Sequence, residues 1–303
     1  MTWNEILRCA QDDNQTFGES LRMLAYQNRF CILICFLGII MTGCRATGSG
    51  PASQEPSTTE LSSPATLTVF AAASLAEAMG EIAAQFEAAH PGVEVSLNLA
   101  GSQQLVQQLG SGAAADVFAS ANAEQMQAAE KTGRVQAGAA SEFVRNRLVV
   151  VAPPDNPAGI NSLEDLARPG VRVVLAAKEV PAGKYSLEFL QRASQEGSLG
   201  SDYERRVLAN VVSYEESVRF ALTKVLLGEA DAGIVYASDA AQADGDKLRK
   251  IEIPEAINPV AMYRIAPLSD ANQPELAQAF VDMVLSADGQ AVLAKYGFIP
   301  VNQ

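Results

Sequence analysis

Short apolar segments alternate with amphipathic helical segments along most of the chain, and this alternation constrains the fold more than any other feature. Leu67–Ala72 is an apolar run typical of a buried strand, and Ser74–His90 has apolar residues at helical spacing before Pro91. The pattern continues with strands at 93–99 and 116–120, each followed by a helix. Such alternation predicts an α/β protein built on doubly wound parallel sheets.

A second alternating set begins at Leu148–Val151 and ends near residue 259. Its predicted members are helices near 162–166, 183–192 and 216–227 and strands at 171–176 and 232–236. Two doubly wound α/β lobes are therefore expected, lobe 1 from residues 67–147 plus 260–303 and lobe 2 from residues 148–259. A ligand cleft would lie between them, at the carboxyl ends of the strands.

The N-terminal segment has the pattern of an exported lipoprotein. Residues 30–41 form an uncharged apolar run too short to span a bilayer, which is typical of a secretory signal peptide. Thr42 and Gly43 stand directly before Cys44, as in a bacterial lipobox. Residues 1–43 are therefore predicted to be a signal peptide, with Met23 as an alternative start, and Cys44 the lipidation site. An ordinary cleaved signal peptide and an uncleaved anchor are the alternatives.

Residues 44–66 follow as a lipidated N-terminus and a flexible tether, because they are rich in Ser, Thr, Pro and Gly and have almost no large apolar side chain. The expected location is extracytoplasmic, with the protein anchored to the membrane through its lipid.

Charge and cysteine usage exclude several classes of function. The net charge is −13 and the chain has no cluster of Lys and Arg, which argues against a nucleic-acid partner. All four cysteines lie at or before Cys44, so the folded body has no disulfide and no thiolate metal site. His90 is the single histidine and no Gly-x-Ser-x-Gly motif occurs, so no His-based triad is possible beyond His90. We expect no enzyme activity, no cofactor and no side chain that ligates a metal cation directly.

Two serines stand where a predicted strand ends and a helix begins. Ser74 follows the strand 67–72, and Ser102 follows Gly101 at the end of the next strand. A hydroxyl group and free backbone N–H groups at such a position can hold an anion without any positive side chain. Each serine taken alone could instead be an N-cap of its own helix; two at equivalent strand ends favour a binding site.

The second lobe offers comparable positions. Pro181 and Gly183 shape a turn that would expose the N–H of Ala182, Val218 begins a helix, and Tyr236 ends a buried strand with a phenol able to donate. An ordinary loop and a packing tyrosine would give the same pattern.

The motifs together carry a family resemblance. The chain from about Leu67 to Asn302 resembles the periplasmic molybdate-binding proteins of ABC importers, in FAAASL (70–75), GSQQL (101–105), ADVFASA (115–121), RNRLVVVAP (145–153), VPAGKY (180–185), SVRFAL (217–222), GIVYASDA (233–240) and KYGFIP (295–300). The motifs occur in order over nearly the whole mature chain. None would be specific alone.

This resemblance implies a type II periplasmic binding-protein fold that closes over an oxyanion, molybdate or tungstate. It assigns hydroxyl and backbone N–H donors to Ser74 and Ser102, backbone N–H donors to Ala182 and Val218, and a phenol donor to Tyr236. It also implies delivery of the ion by a monomer to a transporter permease with its ATPase.

Neutral donors suit this ligand, because a fully deprotonated MO4 dianion has acceptors only. Phosphate keeps a proton near neutral pH and would favour an acceptor in the site, and no carboxylate is placed there. Sulfate has the same charge and shape but is smaller, so cleft size decides between sulfate and the metal oxyanions.

Other readings of the two-lobed fold stay open. A sensor domain could present the oxyanion to a membrane receptor, and a sulfate-type or iron-binding relative could have the same architecture. Iron sites use clustered tyrosines or carboxylates, whereas Tyr236 is the one such residue at a predicted cleft position.

Overall fold

The computed structural model describes residues 65–243 and 247–301, which fold around two separate β-sheets. The predicted signal peptide, Cys44 and nearly all of the tether lie outside the described residues. None of the described helices is long and apolar enough to cross a membrane.

The first sheet has six strands in the order β11-β4-β10-β3-β1-β2. Strands β1, β2 and β3 are parallel, and β10 runs antiparallel to both β3 and β4. The strands are β1 (Ala65–Ala72), β2 (Val93–Ala100), β3 (Val117–Ser120), β4 (Ser141–Asn146), β10 (Ala261–Pro267) and β11 (Ile299–Pro300).

The second sheet has five strands in the order β7-β6-β8-β5-β9. Strands β6, β7 and β8 are parallel, and β5 is antiparallel to both of its neighbours. The strands are β5 (Leu148–Ala152), β6 (Val173–Ala176), β7 (Val211–Glu215), β8 (Ala232–Tyr236) and β9 (Arg249–Glu252). We call the part around the first sheet lobe 1 and the part around the second lobe 2.

Helices cover both sheets, as the sequence pattern predicts. Lobe 1 carries α1 (Ala76–Ala89), α2 (Ser102–Gly110), α3 (Ala123–Lys131), α8 (Pro274–Leu285) and α9 (Ala287–Lys295). Lobe 2 carries α4 (Pro181–Glu196), α5 (Tyr203–Ala209), α6 (Val218–Leu226) and α7 (Ala237–Gln242). Two short 3-10 helices lie at Ala73–Leu75 and Leu163–Ala167.

The two-lobed α/β class is confirmed, and each sheet combines its parallel strands with antiparallel ones. The chain enters lobe 2 at Arg147, where β4 leads straight into β5, and it returns to lobe 1 before β10. A strand that enters or leaves a lobe in this way has no crossover helix, so it can pair in the antiparallel direction. The residues of β5, β6 and β8 are all buried, which explains their uninterrupted apolar sequences.

Candidate functional site

A small cavity lies where the two lobes meet, at the carboxyl ends of several strands. The space between its lining atoms is about 220 Å3, including the part that is open to solvent. All five residues singled out from the sequence contribute to it, and every described residue that lines it is uncharged. The lining residues are Ala72, Ala73, Ser74, Ala100, Gly101, Ser102, Ala121, Val180, Pro181, Ala182, Ser217, Val218 and Tyr236.

Helix N-termini from both lobes converge on this cavity. Ser102 and Val218 are the first residues of α2 and α6, and Ala182 is the second residue of α4. Ser74 lies in the 3-10 turn that leads into α1. Backbone N–H groups in the first turn of a helix have no acceptor within the helix and lie at the positive end of its dipole. The cavity therefore has a local preference for an anion although the protein is acidic.

The two serines do not cap their helices. The N-cap of α2 is Gly101, whose N–H donates to Gln104 Oε1 at 3.1 Å, and Ser102 Oγ instead accepts from the backbone N–H of Ala121 at 3.0 Å. Ser74 Oγ is hydrogen-bonded to the phenol oxygen of Tyr263 at 2.9 Å. Both serines are buried. The N-cap alternative does not describe the contacts of either hydroxyl group.

Tyr236 places a buried phenol oxygen at the cavity. It is 1% exposed, and its phenol oxygen has no hydrogen-bond partner among the residues that the structure describes. Burial, with a smaller effect of neighbouring Tyr263, raises the pKa of this phenol well above its usual range, so it keeps its proton. A buried hydroxyl without a partner costs about 1–3 kcal/mol. A ligand that accepts its proton would recover that free energy.

Close backbone approaches require glycine on each side of the cavity. A Cβ atom on Gly183 would lie 2.0 Å from the carbonyl oxygen of Ala177, and one on Gly101 would lie 2.6 Å from that of Glu216. Real Cβ atoms do not approach so closely, so a larger residue would displace the start of α4 or of α2. These two glycines keep the neighbouring N–H groups at the cavity.

Ionic contacts between the lobes lie outside the neutral lining. Arg219 on α6 donates from Nη1 to Glu77 Oε1 on α1 at 2.9 Å, and its Nη2 contacts the second oxygen of that carboxylate. Its Nε lies 2.6 Å from Oδ1 of Asp239, which is completely buried. Burial raises the pKa of Asp239 to about 6, although the positive charge of Arg219 opposes the shift. Lys184 and Glu124 form another ion pair between the lobes.

Polar side chains of α2 also cross between the lobes. Gln103 Nε2 donates to the carbonyl oxygen of Glu216 at 2.8 Å, and Gln104 Nε2 donates to its carboxylate at 2.9 Å. The lobes thus meet through direct protein contacts around the cavity, as expected for a closed conformation.

The sequence model for bacterial extracellular solute-binding proteins matches residues 67–299 of the chain. The protein belongs to this family. The molybdate-binding protein ModA of Mycobacterium tuberculosis is 41% identical over 261 residues, which cover 86% of this chain and 92% of ModA. Its relatives are binding proteins, and this solute-binding protein is likewise not an enzyme.

Solved structures of similar proteins have the same two-lobed architecture. The substrate-binding domain of a molybdenum ABC transporter from Clostridium difficile has a TM-score of 0.59 at 27% identity, over 78% of this chain and 100% of that one. The sulfate-binding protein SubI of Mycobacterium tuberculosis has a TM-score of 0.69 at 20% identity, over 78% and 88% of the two chains. At that identity the second likeness concerns the fold alone.

Sequence reasoning about this solute-binding protein missed several residues beside the site. Ser217 lines the cavity and caps α6, with its Oγ accepting from the N–H of Phe220 at 3.4 Å. Tyr263 and Asn146 lie behind Ser74, and Glu77 pairs with Arg219 across the lobes. Ser217, the first residue of the SVRFAL motif, was visible in the sequence as a capping residue. The other contacts join positions far apart in the chain, so no local pattern indicates them.

Proposed function

We propose that the protein captures molybdate, or tungstate, outside the cytoplasm and delivers it to the permease of an ABC transporter with its ATPase. The observation that carries this proposal is the uncharged cavity in which serine hydroxyls and helix N-terminal N–H groups converge with the Tyr236 phenol, which has no partner among the described residues. Such a cavity offers donors and no carboxylate, which is the complement of a dianion with acceptors only. The resemblance to ModA supports the choice of molybdate.

The proposed ligand contacts are the hydroxyl and N–H groups of Ser74 and Ser102, the N–H groups of Ala182 and Val218, and the Tyr236 phenol. Each hydrogen bond to a charged ligand contributes about 1.5–3 kcal/mol. Several such bonds from both lobes can offset the cost of removing water from the dianion. The small size of the cavity favours an inorganic ion over an organic ligand.

Sulfate is the second candidate, because it also has acceptors only and a sulfate-binding protein has a similar fold. Calorimetric titration of the mature domain with molybdate, tungstate, sulfate and phosphate separates the candidates. We expect tight binding of the first two. Tight binding of sulfate or phosphate alone would overturn the assignment.

Serine variants test the site itself. Ser74→Ala and Ser102→Ala should each weaken molybdate binding by about 1–3 kcal/mol, because one acceptor of the dianion loses its donor. Ser286 is a matched control, since its Oγ caps α9 by accepting from the N–H of Gly289 at 3.2 Å. Ser286→Ala should lower stability by about 0.5–2 kcal/mol and leave affinity unchanged. The same behaviour in the Ser74 and Ser102 variants would exclude them from the site.

We also propose that Cys44 is lipidated and that the domain acts as a monomer tethered to the membrane by residues 44–66. The apolar run at 30–41 and the small residues before Cys44 support the anchor. A sensor that presents the oxyanion to a membrane receptor would have the same cleft; genes for a permease and an ATPase next to this one would favour transport.

A further inference from the structure

A buried chain of hydrogen bonds lies behind Ser74. The backbone N–H of Arg147 donates to Asn146 Oδ1 at 2.9 Å, Asn146 Nδ2 lies 3.4 Å from the phenol oxygen of Tyr263, and that oxygen lies 2.9 Å from Ser74 Oγ. Asn146 and Tyr263 are completely buried. Neither lines the cavity, so neither would touch a ligand directly.

The orientation of the Asn146 amide is fixed at the first bond of this chain. A backbone N–H can only donate, so the side-chain oxygen of Asn146 faces Arg147 and its NH2 group faces the other way. That NH2 group donates to Ser238 Oγ at 2.8 Å and to the phenol oxygen of Tyr263. Tyr263 has a single proton, and either oxygen can be the donor in its bond with Ser74 Oγ. When Tyr263 donates, Ser74 accepts and has its own proton free to donate into the cavity.

The Ser102 hydroxyl is oriented by a single hydrogen bond from the backbone. Its Oγ accepts directly from the backbone N–H of Ala121, which again can only donate. Ser102 thus has an obligatory donor on the protein side, and Ser74 has an equivalent one when Tyr263 donates; both hydroxyl protons are then left for the cavity. Burial raises the pKa of Tyr263, so its phenol keeps the proton that the chain requires.

We propose that Tyr263, oriented by Asn146, is a positioning residue that holds the Ser74 hydroxyl as a hydrogen-bond donor to the bound oxyanion. This inference rests on the proposed function. A serine hydroxyl can both donate and accept. Held as a donor by Tyr263, the Ser74 hydroxyl favours a fully deprotonated ion, which has acceptors only, over a protonated one. Without Tyr263, the Ser74 hydroxyl could rotate and present its lone pairs to the ligand instead.

A double-mutant cycle tests this role, with molybdate as the probe in calorimetric titration. Tyr263→Phe retains the ring, which makes edge contacts with Phe143, Tyr236 and Phe298 at centroid distances of 6.2, 5.8 and 5.6 Å. We expect it to weaken binding about tenfold in the wild-type background, the scale of one hydrogen bond to a charged group. In the Ser74→Ala background the same change should alter affinity by less than about twofold, because Tyr263 acts through that hydroxyl.

Asn146→Ala provides a second variant if Tyr263→Phe folds poorly. It should weaken binding in the wild-type background and again have little effect once Ser74 is alanine. Tyr203→Phe is the control, because its buried phenol donates to the carbonyl oxygen of Leu163 at 2.6 Å, outside this chain of bonds. It should leave affinity unchanged in both backgrounds.

Equal losses in the two backgrounds, or no loss from Tyr263→Phe, would overturn the positioning role while leaving the proposed function intact. A wild-type protein that binds neither molybdate nor tungstate would refute the proposed function, and this role with it.

Discussion

Replacing Tyr236 by phenylalanine should change stability and affinity in different directions. The ring is 1% exposed and the phenol oxygen has no partner among the described residues, so Phe fills the same space without an unsatisfied group. If the phenol donates to the dianion, its loss costs about 1.5–3 kcal/mol of binding, or about 10- to 150-fold in Kd. The ligand-free protein should be unchanged or stabilised by up to about 1–3 kcal/mol, because an unpaired buried hydroxyl disappears.

Two measurements on the same samples decide this prediction. Calorimetric titration with molybdate gives the affinity, and thermal unfolding without ligand gives Tm, which shifts by about 2–4 °C for each kcal/mol in a domain of this size. Tyr203→Phe is the matched control: it removes a phenol that has a carbonyl partner, so it should lower Tm and preserve affinity. A Tyr236→Phe protein with lower Tm and full affinity would refute the reasoning.

Three further predictions concern the lobe contacts and the N-terminus. Glu77→Gln should weaken binding about two- to fivefold at low salt and less at high salt, because its ion pair with Arg219 is partly exposed; titrations at two salt concentrations check this. Asp239 has a raised pKa of about 6, so its contribution to stability is complete below about pH 4 and is lost as the pH rises through 6. The free energy of unfolding of Asp239→Asn, relative to that of wild type, should therefore rise by about 3 kcal/mol between pH 4 and 7. Denaturant unfolding measures this difference, and parallel pH profiles of the two proteins would contradict the prediction. Cys44→Ala should release the protein from membranes or leave its precursor uncleaved, whereas an unchanged lipid-labelled product would exclude Cys44 as the anchor.

Elements with a clear apolar period were predictable from the sequence. The helix at Pro274–Leu285 is of this kind, because proline opens it and apolar residues recur on one face. The strand expected at 232–236 is also found at those residues. Strong periodicity and a start signal fix such elements without help from the rest of the fold.

Other elements depend on tertiary pairing. The residues of β9 are Arg249–Glu252, a largely charged and exposed sequence that becomes a strand by pairing with β5 at the edge of its sheet. The helix expected at 183–192 begins earlier, because Pro181 occupies the first turn of α4 and the residues to Glu196 continue it. The alternation of strands and helices alone does not predict the antiparallel strands next to the two segments where the chain passes from one lobe to the other.

The residues around the site also divide into those with a local sequence signature and those that depend on tertiary contacts. Ser74 and Ser102 were predictable because a serine between a strand and a helix has a local signature. Tyr263 follows Ser74 by 189 positions, and its phenol was indistinguishable from that of a packing tyrosine until the structure placed it beside the serine. The assignment of the five ligand residues stays a prediction, now with a defined geometry to test.

The separation of neutral and charged groups has a consequence for selectivity. Ion pairs such as Arg219 with Glu77 join one lobe to the other and do not line the cavity, so they favour closure equally for any ligand that permits it. Discrimination among oxyanions must then come from groups inside the cavity, whose hydroxyl protons are directed by donors behind them. A carboxylate in the lining would repel every dianion, whereas a lysine would attract every one with little regard to shape. Fixed neutral donors avoid both effects, because the binding free energy that they contribute depends on the size and protonation of the bound ion.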